Sequence, residues 1–253
     1  MKKLFSLIIF TAAALMSTAS SAADDNTFDG FSFSGSVALT NDYLFYGYSQ
    51  SNQGWAVQGG LTLNHESGFY LGTWASVVDF GPFGPNSRTP GGLNPANIEL
   101  DISGGYAGEF SNGLSYDFGA VRYGYPDQNQ DSGGGSFEYW EGYASFSYTF
   151  DSEYSPTVDF GINVSPDWFG ESGTSYYPHG GLSVSLPQGF GAYVNAGYLD
   201  VSDINYSYAH YQIGVTKDFG GLSFNLGYAN ADKECDGGNS LCEGFIFSVS
   251  KDF

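Results

Sequence analysis

"FSFSGSVALT", residues 31–40, sets Phe31, Phe33, Val37 and Leu39 against Ser32, Ser34, Ser36 and Thr40. Alternation with a period of two marks a β-strand with one apolar and one polar face. The pattern recurs along the chain. In "IELDISGGYAG" (98–108), Ile98, Leu100, Ile102 and Tyr106 oppose Glu99, Asp101 and Ser103. In "GLSFNLGYAN" (221–230), Leu222, Phe224, Leu226 and Tyr228 oppose Ser223 and Asn225. This reading places strands near 31–41, 53–65, 68–80, 97–109, 113–125, 138–150, 154–165, 179–187, 189–201, 206–218, 221–231 and 243–253. In 68–80 ("GFYLGTWASVVDF") both faces are apolar enough that alternation does not assign them.

The connections carry separate information. "HESG" (65–68), "FSNG" (110–113), "DSEYSP" (151–156), "PQG" (187–189) and "FGG" (219–221) are short. Between them fall the longer segments 42–52, 81–96, 126–137, 166–178, 202–205 and 232–242. Short and long alternate, as in outer-membrane barrels with short periplasmic turns and longer extracellular loops. Each strand also has roughly the 9–11 residues needed to cross. A secreted sandwich or lipocalin would place its large apolar residues inside. Here the second face is Ser, Thr, Asn, Gly and acids, which suits a polar lumen with lipid outside. The expected fold is an all-β, transmembrane, antiparallel up-and-down barrel of about 12 strands, with both termini periplasmic.

Composition agrees. Aromatic residues make up 18% of the chain, with 20 Tyr and 22 Phe, and Gly numbers 37. Net charge is −20. Outside the first few residues only Arg88, Arg122, Lys217, Lys233 and Lys251 are basic. Nucleic acid is therefore excluded as a partner, since binding it needs a basic footprint. "MKKLFSLIIFTAAALMSTASSAA" (1–23) has two lysines, an apolar run and small residues at its end. It reads as a secretory signal peptide, which leaves 24–253 as the barrel. The apolar run is shorter than the roughly 20 residues of a membrane-spanning helix.

The chain closes on "FIFSVSKDF" (245–253), with Phe245, Phe247, Val249, Lys251 and Phe253 on one face. A terminal aromatic suits the interfacial girdle, and Lys251 can snorkel to the headgroups. The segment resembles the C-terminal aromatic signal read by the barrel assembly machinery, with Phe253 as its last residue.

"LTNDYLFYGYSQSNQGWAVQGGLTLNHESGFYLGTWAS" (39–76) is more specific. With "IELDISGGYAG" (98–108), "LSYDFGAVRYGYPD" (114–127) and "EYWEGYASFSY" (138–148), it resembles the TorF-type porin family of proteobacterial outer-membrane proteins. The resemblance covers most of 24–253 and implies a porin-like barrel, without a substrate. Family members carry Arg before the first Gly, in an F-R-G context. This chain has Phe45-Tyr46-Gly47, so the resemblance implies a more acidic lumen.

By strand parity Glu99, Asp101, Asp117, Glu141 and Asp159 point inward. A narrow lumen lined by carboxylates focuses negative potential and favours cations. The alternative is that these acids simply hydrate the interior. The loop "DKECDGGNSLCE" (232–243) holds Cys235 and Cys242, the only two cysteines, which in an exported chain are expected to form a disulfide. Asp232, Glu234, Asp236 and Glu243 also fall at positions 1, 3, 5 and 12 of a calcium-loop spacing. Glu at the third position, flanking strands and a crossing disulfide all depart from that pattern. A looser role in divalent-ion contact at the lipopolysaccharide surface is the other reading of this loop. No G-x-S-x-G occurs, and His65, His179 and His210 form no recognisable triad. No enzyme activity and no cofactor are expected.

The expected function is passive diffusion of small polar, cationic solutes across the outer membrane, with lipid, lipopolysaccharide and the assembly machinery as partners. The alternative is a non-conducting barrel acting through its loops, of which 81–96 and 126–137 could instead fold inward as a plug. Substrate, oligomeric state and gate are not written in the residues.

Overall fold

The computed structural model describes residues 29–79, 96–128, 136–232 and 242–253. Twelve strands close into one antiparallel barrel. In chain order these are β1 (Phe31–Thr40), β4 (Ala56–His65), β5 (Phe69–Val77), β6 (Ile98–Glu109), β7 (Leu114–Tyr123) and β8 (Tyr139–Thr149). They continue as β9 (Thr157–Ser165), β10 (Ser175–Leu186), β11 (Phe190–Val201), β12 (Tyr206–Phe219), β13 (Leu222–Ala231) and β14 (Glu243–Asp252). Two short strands, β2 (Leu44–Phe45) and β3 (Tyr48–Ser49), pair only with each other. Among the described residues no helix is long and apolar enough to cross a membrane.

Each expected strand is present. β10 begins earlier than expected, because Pro178 is accommodated inside it. Pro178 faces outward, its ladder to β9 is continuous, and its ladder to β11 skips 177–178. A proline lacks the N–H that an uninterrupted ladder needs. β5 resolves the ambiguous parity: Phe69, Leu71 and Val77 are exposed, while Trp74 and Ser76 are buried.

The outer surface carries an apolar belt that includes Phe33, Leu61, Leu71, Ile102, Phe160, Ile213, Leu226 and Phe247. A continuous belt of this kind would aggregate in water and matches a hydrocarbon layer. Arg122, Lys217 and Lys251 all sit on this outer side. Arg122 pairs with Glu138 at 2.6 Å, and the Lys217 ammonium lies 4.2 Å from the centre of the Phe190 ring.

The inner face changes character along the barrel. At the end where β1 begins, β14 finishes and the short turns lie (the turn end), it is mainly Ser, Thr and Asn, as expected. At the other end (the loop end), Val121, Tyr123, Leu199, Val201 and Tyr208 point inward and form a buried apolar core. An aqueous channel would not bury these side chains; here they pack against chain that enters the lumen.

Inward tyrosines lie flat across inward glycines of neighbouring strands. Tyr143 crosses Gly119, Tyr177 crosses Gly197, and Tyr193 crosses Gly214 and Gly227. Each ring occupies the space a side chain would take, covering the bare backbone and stiffening the wall. The Tyr70 and Tyr143 hydroxyls bond each other, and Tyr70 donates to Asp117 Oδ1 at 2.7 Å.

β1 meets β14 from Ser36↔Asp252 to Thr40↔Ser248. Phe253 extends this seam by exchanging two backbone hydrogen bonds with Gly35, at 2.8 and 2.9 Å. Its ring lies where a Gly35 side chain would start, 2.7 Å from an ideal Cβ.

Two substitutions test these contacts. In Gly119→Ala the new Cβ would lie 2.5 Å from Tyr143 Oη and 2.8 Å from the Gly104 carbonyl oxygen. It should destabilise the barrel by about 1–3 kcal/mol, read as a lower melting temperature in the heat-modifiable gel shift. Deleting Phe253 should lower it as well; an unchanged melting temperature would show that the seam does not need the terminal residue.

Candidate functional site: a hairpin inside the lumen

After β1 the chain does not continue along the wall. It turns inward at Asn41, whose side chain takes over the ladder on β14. Asn41 Oδ1 accepts from the Phe247 N–H at 2.6 Å, and Asn41 Nδ2 donates to the Phe245 carbonyl at 3.0 Å. The backbone groups of β14 are thus satisfied where their partner strand leaves.

Residues 41–55 then form a compact hairpin closed by β2 and β3, with 42–51 inside the lumen and Trp55 back on the outer surface. Asp42 organises its base: the hydroxyls of Ser49 and Ser51 donate to Asp42 Oδ1 at 2.5 and 2.9 Å. The Tyr43 N–H donates to Ser51 Oγ at 2.9 Å and the Gln50 N–H to the Tyr43 carbonyl at 2.7 Å. Tyr46 and Gly47 at the tip have φ of +49° and +82°. At Gly47 an added Cβ would meet His210 Cβ and Cγ at 2.7 Å, so glycine is needed for both conformation and space.

The hairpin is fastened to two wall carboxylates. The Tyr43 hydroxyl donates to Glu99 Oε1 at 3.1 Å. The Tyr46 hydroxyl donates to Glu141 Oε2 at 2.7 Å, and Tyr123 donates to the same oxygen at 3.0 Å. Asn163 Nδ2 adds bonds to Tyr46 Oη at 3.0 Å and Glu141 Oε2 at 3.2 Å. Tyr208 donates to the Tyr46 carbonyl at 2.8 Å. Burial first, then the neighbouring carboxylate, push the Tyr43 and Tyr46 phenols above their ordinary value. Both therefore remain donors at any physiological pH.

Rings supply the remaining contact. Tyr46 stacks on Tyr177 at 3.6 Å, Phe45 meets Tyr123 edge-on at 5.4 Å, and Tyr43 meets Trp74 edge-on at 5.4 Å. Burying each such ring is worth about 1.5–3 kcal/mol, and each hydrogen bond to a carboxylate about 1.5–3 kcal/mol. One backbone bond, from the Asp79 N–H to the Gln50 carbonyl at 2.6 Å, ties the hairpin to the chain leaving β5.

All five acids singled out by parity face inward. Glu99, Asp101 and Glu141 are sealed at the loop end, at 1%, 3% and 1% exposure. Glu99 and Glu141 hold the hairpin, while both Asp101 oxygens and Glu141 Oε1 have no hydrogen-bond partner. Asp117 serves Tyr70, and Asp159 lies deeper with Oδ1 unpartnered. Among the described residues, no three His, Cys, Asp or Glu side chains form a set able to hold a metal ion. The described inner face carries no Lys or Arg.

In the 232–243 loop, Asp232 Oδ1 accepts from the Ala209 N–H at 2.9 Å, and Glu243 Oε2 accepts from Asn230 at 3.1 Å. Cys242 is buried, and the described residues include no free cysteine. Glu234, Cys235 and Asp236 lie outside the described residues, as do the leader and most of loops 81–96 and 126–137. His65 is at the turn end beside Ser67; His210 Nε2 is 2.7 Å from the Tyr177 hydroxyl, and His179 stacks on the Tyr177 ring.

Sequence reasoning treated 42–52 as an ordinary long loop. The overlooked signal is its composition: Tyr43, Leu44, Phe45, Tyr46 and Tyr48 are too apolar for a loop facing water.

The chain belongs to the family described as "Bacterial protein of unknown function (Gcw_chp)", which matches residues 24–252. No curated protein matches it. Among solved structures, a NanC porin superposes with a TM-score of 0.50 at 9% identity, covering 87% of this chain and 98% of that one. LpxR from Salmonella typhimurium gives 0.49 at 12% identity, covering 87% and 99%. An outer-membrane channel from Pseudomonas putida F1 gives 0.47 at 14% identity, covering 91% and 98%. The porin likeness identifies the fold as that of an outer-membrane barrel.

The hairpin's seat can be tested directly. Gly47→Val should expel the tip and raise the rate of chymotrypsin cleavage within 43–48 at least tenfold in the folded barrel. Protection equal to the wild type would contradict the inserted arrangement.

Proposed function

We propose that this member of the Gcw_chp family is an outer-membrane channel for small polar solutes, closed here by its own 41–55 hairpin. The observation that carries the reading is how the hairpin is held. It adds no strand to the wall; it is seated mainly by side-chain hydrogen bonds and ring stacking, which can break without opening the barrel ladder. Twelve strands enclose a lumen between the side-chain-filled eight-stranded barrel and the open channels of 16–18 strands. A barrel of this width passes little unless its filling can move.

Once the hairpin withdraws, Glu99, Asp101, Asp117, Glu141 and Asp159 line a lumen with no inward Lys or Arg among the described residues, which favours cations. The resemblance to TorF-type porins agrees with this reading. The proposal also includes export through cleavage of 1–23, residence in lipid and lipopolysaccharide with the termini in the periplasm, and recognition of Phe253 by the assembly machinery. A Cys235–Cys242 disulfide would constrain the last loop, next to any divalent ions held by Asp232, Glu234, Asp236 and Glu243. The proposal assigns no catalytic residue; the Tyr177 hydroxyl and His210 serve as a hydrogen-bonded pair beneath the hairpin tip.

The filled loop end favours a second reading, a permanently plugged barrel that works through its outer surface. Single-channel recording separates the two. The wild type should show brief, infrequent openings. The Tyr43→Phe/Tyr46→Phe double variant, stripped of both hydroxyl anchors, should raise open probability at least tenfold, with cation-selective reversal weakened by Glu141→Gln. Silence from both proteins, once folding is shown by gel shift, would leave the plugged barrel.

A further inference from the structure

Below the hairpin, at the turn end, the lumen forms an open recess of about 80 Å³. Its lining includes Ser183, Thr216, Asp218, Asn225, Ser248 and Ser250. A chain of amide and phenol groups sets the orientation of Asn225. Gln212 Nε2 donates to Tyr193 Oη at 2.9 Å, and the Tyr193 hydroxyl donates to Asn225 Oδ1 at 2.9 Å. The Asn225 oxygen is therefore engaged, and its Nδ2 is left as the donor. That nitrogen is buried with no partner, on a residue only 6% exposed. An unsatisfied buried donor costs about 1–3 kcal/mol, a cost that an acceptor arriving in the recess would remove.

The lining restricts what that acceptor can belong to. Its serine and threonine hydroxyls both donate and accept. Its one charged side chain, Asp218, repels anions, and Asp218 Oδ1 already accepts from the Ser223 hydroxyl at 2.6 Å. A guest with several hydroxyls and no charge can pair with the serine, threonine and asparagine groups of this wall, while Val184, Phe190 and Phe224 offer contact to its apolar face. We infer that the turn-end recess is a binding site for a small neutral polyhydroxylated solute, a monosaccharide or polyol. The inference rests on the channel reading and assigns that channel a station for its solute.

The experiment is a calorimetric titration of the refolded protein in detergent with glucose, using glucose 6-phosphate and arginine as charged comparators. Glucose should bind saturably, and both comparators at least tenfold more weakly. Asn225→Asp keeps the acceptor for Tyr193 and removes the Nδ2 donor; it should weaken glucose binding at least tenfold. Ser248→Ala serves as the second variant, with a loss of about threefold, should the first fail to fold. No saturable glucose binding by the folded wild type, equal binding in the folded variants, or equal binding of a charged comparator would overturn the inference. Conductance steps without glucose binding would overturn it and leave the channel; glucose binding without steps would uphold the site and overturn the channel.

Discussion

Inside a hydrocarbon layer a backbone N–H or C=O has no water to turn to, so a sheet must close on itself. Everything else in this molecule follows from how that closure is met. Twelve strands complete the ladder, and the last gap lies between β1 and β14. At one end of the gap Phe253 bonds Gly35; at the other the Asn41 N–H and the Asn41 side chain both bond β14 as the chain turns away. The seam is complete although β1 stops short, and the residues it releases are free to fill the lumen.

Filling the lumen resolves a conflict between charge and burial. Carboxylates are costly to bury without partners. Glu99 and Glu141 are almost fully enclosed, yet the described residues supply no inward cation at this level. Phenol and amide donors take that role: Tyr43 for Glu99, and Tyr46, Tyr123 and Asn163 for Glu141. Tyrosine suits the position because one side chain supplies a donor to the acid and a ring to the neighbouring aromatics. Position 46, at the hairpin tip, reaches Glu141 through a neutral phenol. A neutral donor here leaves the acids less tightly bound than an ion pair would, consistent with a seat that can be vacated.

The wall was legible from the sequence because its signal is local and repeated. Alternation in 31–40, 98–108 and 221–230 gave both strand and face, and the spacing of turns gave the antiparallel order. Strand β5 was ambiguous because inward Trp74 is as apolar as outward Phe69 and Leu71; only the ring of Tyr43, against which Trp74 packs, explains it. The hairpin was not legible for a related reason. Its pairing spans two residues per strand, too short for periodicity, and its partners Glu99, Glu141, Asn163 and Tyr208 lie far along the chain. The inward direction of the acids followed from parity, whereas their use as anchors depends on a segment whose placement no local pattern encodes.

The way β1 ends also bears on how the barrel is put together. Asn41 belongs at once to the wall, through β14, and to the hairpin that begins beside it. The β1–β14 seam reaches its full length through Asn41, and the residues that follow enter the interior before the chain returns to the outer surface at Trp55. Closing the cylinder and stoppering it therefore share one residue.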